Sequence, residues 1–308
     1  MILDKIAREY SLGQIINHQI LDGGIVNQTH LIETSKGKFV IQKLNKAFDE
    51  RVIQDYLQLQ AIFLNSEISI PTLNFTINGS PFIKDDDYIY RVFSYIENER
   101  ITINPETAFE ASRKLSLFHK ILEDSPFKPK YFIPDFHNTK KIIEKLKQLP
   151  KTAEVIAHRS QIVENIEKHY LQENRKKSVI HGDPKFNNFL FRDGKVIAVI
   201  DLDTIMTESR LVDLGDLTRS WCKGIDSAFE NEIFNAIVDG YCCSFNPSEI
   251  LNAGCLITLE LSARYLIDSV EQSYFEWDSK RFSSSREYNT EKCRNLLKYY
   301  SNMRMVRN

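Results

Sequence analysis

The chain has 308 residues and carries 40 Lys and Arg against 42 Asp and Glu, a formal net charge of -2. A nucleic-acid binder that neutralises phosphates needs a basic excess, which this balance lacks. With 42% hydrophobic and 27% charged residues, the chain is neither disordered nor fibrous and can bury a core large enough for two lobes.

The N-terminus has scattered charges in place of the basic start and apolar stretch of a secretory signal. No run approaches the roughly 18 uninterrupted apolar residues of a membrane span. The expected location is therefore the cytoplasm. From residue 14 the sequence reads as strands. Runs at 14–21, 28–33, 38–44, 74–77 and 88–96 alternate or are β-branched, with turn signals at Gly23-Gly24, Lys36-Gly37 and Asn78-Gly79. A helix over 50–64 falls between the third and fourth runs. Residues 1–96 thus form a sheet with one helix against it.

Beyond residue 103 the apolar period changes to 3.6. Asn104 caps a helix with Pro105 at its first position, and Ala108, Ala111, Leu115, Phe118 and Leu122 recur at spacings of three and four. Further helices over 139–149, 152–173, 212–223, 231–243, 249–271 and 288–302 make residues 97–308 a mostly helical second lobe. The five cysteines, Cys222, Cys242, Cys243, Cys255 and Cys293, fall in its helices without the paired spacing of a zinc site or a disulfide frame. One short β region interrupts the helices, at 178–181, 189–191 and 196–201. Its last two runs are joined by Asp193-Gly194, a strong hairpin pair.

Polar groups gather at one end of this small β region. A strand delivers His181 and Asp183 to a loop, Asn188 stands five residues after Asp183, and the hairpin returns the chain to Asp201 and Asp203. Carboxylates and an amide oxygen are hard ligands suited to Mg²⁺, which completes its shell with water and phosphate oxygens. A metal and a carboxylate near a hydroxyl are what phosphoryl transfer needs, since alignment and charge neutralisation do most of the work.

The run His181-x-Asp183-x4-Asn188, followed by the hairpin and Ile200-Asp201, resembles the aminoglycoside phosphotransferase and choline kinase superfamily, which is similar in fold to protein kinases. The resemblance implies an α+β, two-lobed fold: an N-terminal antiparallel sheet with one helix over 1–96 and a mostly helical lobe over 97–308. It implies ATP and Mg²⁺ as cofactors and a small-molecule acceptor as partner. Asp183 is then the base for the acceptor hydroxyl, Lys185 contacts the transferred phosphate, and His181 shapes the loop. Asn188 and Asp201 hold Mg²⁺, and Asp203 either assists a second metal or is solvated. Asp213 and Asp216, which open the helix at 212, read as acids favoured in a first turn, with Asp216 also a candidate support for the catalytic loop. His119, inside the Pro105 helix, reads as structural.

The nucleotide is expected between the lobes, with no P-loop motif present. Gly23-Gly24 with Asn27 and Thr29 lies where the superfamily covers the phosphates, although a glycine pair between strands is also an ordinary turn. Alternation sends Gln42 and Lys43 to opposite faces, so one of them reaches the cleft. Lys43 is the choice on charge, with Asp55 or Glu50 to orient it. The segment 91–97, with Phe93 and Tyr95, is the expected adenine hinge.

Gly23-Gly24-x-x-Asn27-x-Thr29, Tyr90 to Glu97, Ile133-Pro-Asp-Phe136-His137, Asp213-x-Gly-Asp216-x-x-Arg219 and Glu260-x-x-x-Arg264 with Tyr274-Phe275 together resemble the N-acetylhexosamine 1-kinase group. That likeness implies phosphorylation of the anomeric hydroxyl of an N-acetylhexosamine, with His30, His137, Arg264 and Tyr274 about the sugar. Lys43 and Gln28-Thr29-His30 depart from the group's pattern. An aminoglycoside, choline, ethanolamine or homoserine acceptor is the alternative within the same chemistry. A silent nucleotide-binding kinase fold is the alternative of another class.

Overall fold

The computed structural model describes residues 2–21, 27–46, 48–171, 175–242 and 245–306. The first lobe contains α1 (Ile2–Glu9), β1 (Ile15–Ile20), β2 (Gln28–Thr34), β3 (Gly37–Lys43), α2 (Glu50–Phe63), β4 (Ile83–Asp85) and β5 (Tyr88–Ser94). Its sheet is antiparallel in the order β1-β2-β3-β5-β4. Side chains alternate across it. Ile32, Ile41, Tyr90 and Val92 pack on α1, which leaves Thr29, Leu31, Val40, Gln42, Arg91 and Phe93 on the cleft side.

The sequence missed α1, although Leu3, Ile6 and Ala7 are its buried face. It also put a strand over 74–77, where the chain instead forms a turn, Thr76 N donating to Ser80 O at 2.8 Å. The strand that completes the sheet edge is β4, paired with β5 across Asp86-Asp87.

The second lobe is α3 (Pro105–Glu123), α4 (Thr139–Lys147), α5 (Ala153–Ile166), β6 (Ser178–Ile180), β7 (Phe189–Arg192), β8 (Lys195–Val199), β9 (Met206–Glu208), α6 (Arg210–Trp221), α7 (Asn231–Tyr241), α8 (Pro247–Glu271) and α9 (Ser285–Met305). Asn104 caps α3 through a reciprocal bond with Thr107. Asp193 and Gly194, both at positive φ, close the β7–β8 hairpin, the conformation that matches strand twist. Helix α8 is long and apolar enough by composition to cross a membrane, but it is packed between α6 and α9 and 83% of its apolar stretch is buried.

The lobes are stitched beside the hairpin. Ser69 N donates to Ile197 O at 3.2 Å, and just past the first lobe Glu99 N, at the start of the second, donates to Phe191 O at 2.8 Å. This antiparallel sheet above a helical lobe is the expected protein-kinase-like arrangement, and it opens a cleft over the ends of β6 and β8.

Candidate active site

Strand β6 ends at a loop with little freedom. His181 is fully buried, donates from Nε2 to Ile200 O at 3.0 Å, and accepts at Nδ1 from Asp183 N at 3.3 Å. Gly182 has φ +85, and a Cβ there would lie 2.3 Å from Thr204 O, so only glycine fits. From α6, the Asp213 carboxylate accepts from His181 N at 2.8 Å and Gly182 N at 2.7 Å. His119 on α3 donates to the same carboxylate at 2.7 Å and accepts from Tyr241 Oη at 2.6 Å. Burial would raise the Asp213 pKa, but the His119 bond and the loop amides hold it below the ordinary value. Burial pushes His119 down despite Asp213. The pair is a neutral imidazole on a carboxylate. Asp213 is thus a brace of the loop after β6, a role its first-turn position in α6 did not reveal.

The loop presents Asp183 and Asn188. Lys185 Nζ donates to Asp183 Oδ2 at 2.6 Å and lies 3.6 Å from Asp201 Oδ2, so the two carboxylates converge on one ammonium. Burial would lower the Lys185 pKa, but Asp183 and Asp201 raise it. Asn188 Nδ2 donates to Asp183 O at 2.8 Å, which leaves its amide oxygen as a free acceptor. Asp201 sits in the left-handed region, φ 63 and ψ 54, a conformation that Asp and Asn tolerate better than other side chains. Asn188 and Asp201 share the wall of one cavity. Two hard oxygen donors on one wall fit a magnesium ion that takes most of its shell from water and phosphate.

Asp203, expected either to assist a second metal or to be solvated, is buried, with Oδ1 lacking a protein partner and Oδ2 engaged. Its Oδ2 accepts from Arg91 Nη2 at 2.6 Å and Asn27 Nδ2 at 2.9 Å, with both the Arg91 and Asp203 side chains 2% exposed. Burial pushes its pKa up, Arg91 opposes this, and Asp201 adds to the rise. Asn27 Oδ1 accepts from Asn45 N at 2.9 Å, so the network spans both lobes. Lys43 does not reach the cleft: its Nζ lies 3.6 Å from the centroid of the Tyr88 ring, on the α1 face. The residue facing the cleft is Gln42, whose Oε1 accepts from Arg91 Nε at 3.0 Å and Nη2 at 2.7 Å. The acids proposed to orient Lys43 are also engaged elsewhere. Asp55 accepts from Lys130 N and Tyr131 N at 2.8 and 3.0 Å, and Glu50 pairs with Lys84. The sequence marks Arg91 only as part of the expected hinge. A lone charge in an apolar strand was the available sign that it has a buried partner.

Two cavities meet at Asp201. The larger, about 680 Å³, is lined among others by Thr29, Gln42, Arg91, Phe93, Tyr95, Asn188 and Asp201. Gly23 and Gly24 lie outside the described residues. The smaller, about 230 Å³, is lined by Asp183, Lys185, Asp201, Asp216, Arg264 and Tyr274, among others. There the Arg264 guanidinium lies 5.0 Å from the Phe136 ring and 4.9 Å from the Tyr274 ring. Asp268 accepts from Ser273, Tyr274 and Phe275 N at 2.9, 2.8 and 3.0 Å and so fixes that segment. Asp216 Oδ1 accepts from Arg219 at 2.7 Å, while its buried Oδ2 has no protein partner.

His137 donates to Glu260 Oε2 at 3.0 Å and to Gly182 O at 2.8 Å. Burial would lower its pKa, but Glu260 and the Gly182 carbonyl raise it, and two acceptors define an imidazolium. Its ring is therefore a tie between α8 and the catalytic loop, with neither nitrogen free for an acceptor. His30 does not reach this cavity. It faces the α1 side of the sheet, 2.8 Å from His18.

A two-lobed kinase fold with carboxylates at the junction of two cavities defines a phosphotransferase. Residues 18–244 match the phosphotransferase enzyme family, and the chain belongs to that family. It is an enzyme that transfers a phosphoryl group to an alcohol. It is 24% identical over 248 residues to a homoserine kinase of Phenylobacterium zucineum (strain HLK1), covering 78% of this chain and 74% of that one. Solved structures share the fold. Amicoumacin kinase hAmiN, in complex with AMP-PNP, Ca²⁺ and Ami, has a TM-score of 0.69 at 14% identity over 97% of this chain and 92% of the other. A microcompartment-associated aminopropanol kinase has a TM-score of 0.69 at 14% identity over 98% of both. Choline kinase LicA from Streptococcus pneumoniae has a TM-score of 0.62 at 17% identity, over 96% of this chain and 99% of that one.

Proposed function

We propose that the protein transfers the γ-phosphoryl group of ATP, with Mg²⁺, to the anomeric hydroxyl of an N-acetylhexosamine or a related small sugar. The observation that carries this reading is that Asp201 lines both cavities while Asp183 lines only the smaller. A phosphoryl donor in the larger cavity and a hydroxyl in the smaller one meet at that junction. Asp183 accepts the hydroxyl proton, and Lys185, within 2.6 Å of it, brings positive charge to the group in transit. Asn188 and Asp201 hold the metal, which offsets phosphate charge when bound. Phe93 and Tyr95 flank the nucleotide. ATP as donor assigns the reaction to the cytoplasm.

The acceptor cavity, about 230 Å³, is smaller than the roughly 300–1,000 Å³ of sites for drug-sized ligands. That size favours a monosaccharide over a multi-ring aminoglycoside. The Arg264 fork and the Phe136 and Tyr274 rings offer a sugar both hydrogen bonds and apolar faces. A second reading, homoserine or another amino alcohol, is favoured by Asp216 Oδ2. This buried carboxylate oxygen without a protein partner suits an ammonium, and the likeness to a homoserine kinase points the same way.

The test is ADP release by the purified protein with N-acetylhexosamines, free hexoses, homoserine, choline, ethanolamine and aminoglycosides. Release with an N-acetylhexosamine, yielding the sugar 1-phosphate, supports the first reading. Release with homoserine alone assigns the second. A protein that neither binds ATP nor releases ADP with any of them overturns both.

A further inference from the structure

In this chain the cation expected on β3 is absent from the cleft. Lys43 points to the α1 face, and its position opposite the phosphates is taken by the neutral Gln42. On the adjacent strand, in register with Gln42, stands Arg91. It is 1% exposed and lines the larger cavity. Its Nε and Nη2 are held by Gln42 and Asp203, its guanidinium carbon lies 4.9 Å from the Phe93 ring, and its buried Nη1 has no protein partner. An arginine fork fixed on one side, with donors left over on the other, is prepared for a phosphate oxygen.

We propose that Arg91 carries the positive charge to the nucleotide phosphates in place of a β3 lysine, and that Asp203 is the positioning acid that orients it. This rests on the reading above that the larger cavity takes the nucleotide. The acid of the pair comes from the loop after Asp201 instead of from α2, whose Asp55 and Glu50 are bound to other groups. Charge delivery is thereby coupled to the metal-binding segment two residues away. Asn27, bonded to the same Asp203 oxygen, joins the start of β2 to that pair.

The experiment compares the affinities of ATP, ADP and adenosine by calorimetry for the wild type, Arg91→Gln, Arg91→Lys and Lys43→Ala. A phosphate contact is expected to cost Arg91→Gln about tenfold or more in ATP and ADP affinity while leaving adenosine within about twofold. Arg91→Lys is expected to recover part of the loss, and Lys43→Ala to match the wild type. Arg91→Gln alone leaves Asp203 buried without its counter-charge, so the double variant Arg91→Gln/Asp203→Asn is measured beside it and is expected to fold and to show the same selective loss. Equal losses for all three ligands, or no loss, overturn the proposal, as does loss of ATP affinity in Lys43→Ala. A wild type that binds no nucleotide would instead overturn the assignment of the cavity.

Discussion

His119 donates to the Asp213 carboxylate at 2.7 Å, and both side chains have no solvent exposure. The oxygens of Asp213 in turn fix the amides of His181 and Gly182, so helix α3 reaches the catalytic loop through one carboxylate. Asp213→Asn sets an amide NH₂ against backbone donors. The expected result is a loss of about 2–4 kcal/mol of stability and a fall of about 10²-fold in kcat from the misplaced loop. Urea denaturation and steady-state kinetics on the same preparation check both.

The pKa values of His137 and His119 are shifted in opposite directions. For His137 the folded pKa stands above 6.5, so its stabilisation is complete below about pH 6.5 and disappears as pH rises through the raised value. For His119 the folded pKa stands below 6.5, so its contribution is present above about pH 6.5 and is lost on acidification. Urea midpoints from pH 5 to 9 are expected to show an alkaline decline that His137→Gln removes, with the acid decline kept. An unchanged alkaline limb in that variant would contradict the imidazolium tie.

For Asp183→Asn, kcat is expected to fall about 10²- to 10⁴-fold, with nucleotide affinity within about twofold of wild type. Single-turnover kinetics and calorimetry separate the two quantities. A variant turning over within about tenfold of wild type would remove Asp183 as the base.

Asp201→Ala is expected to abolish the gain in nucleotide affinity that Mg²⁺ gives the wild type. Alanine in the left-handed conformation also costs about 1 kcal/mol, so Asp201→Asn, which keeps the backbone at ease, is the companion variant. Calorimetry with and without Mg²⁺ is the measurement, and an unchanged metal dependence in both variants would exclude Asp201 from the metal site.

The legible parts of the sequence were those set by neighbours along the chain. Asn104-Pro105 announces the start of α3 because cap and first turn are made by the same few residues. Asp193-Gly194 announces the hairpin because its positive φ angles are local. Asp183, Asn188 and Asp201 were found together because one loop and one hairpin carry them. The choice between Gln42 and Lys43 was not local: alternation gave two faces, and only the packing of Ile41 on α1 decides which one turns inward. The partners of Asp203 and Asp213 lie 112 and 94 residues away in sequence, at Arg91 and His119, so no spacing rule could reach them. Helix α1 is legible too, since Leu3, Ile6 and Ala7 mark an apolar face.

Glu260, Arg264 and Asp268 recur every fourth residue along α8, one stripe of one helix. The first two line the smaller cavity, and the third caps the segment that supplies Tyr274 and Phe275. The proposed proton acceptor and metal ligands stand apart, on the loop after β6 and the turn after β8. A lineage can therefore exchange one alcohol for another by rewriting that stripe and its capped segment while the groups that move phosphorus stay in place. Only Glu260, tied through His137 to Gly182, makes such drift costly to the reaction itself.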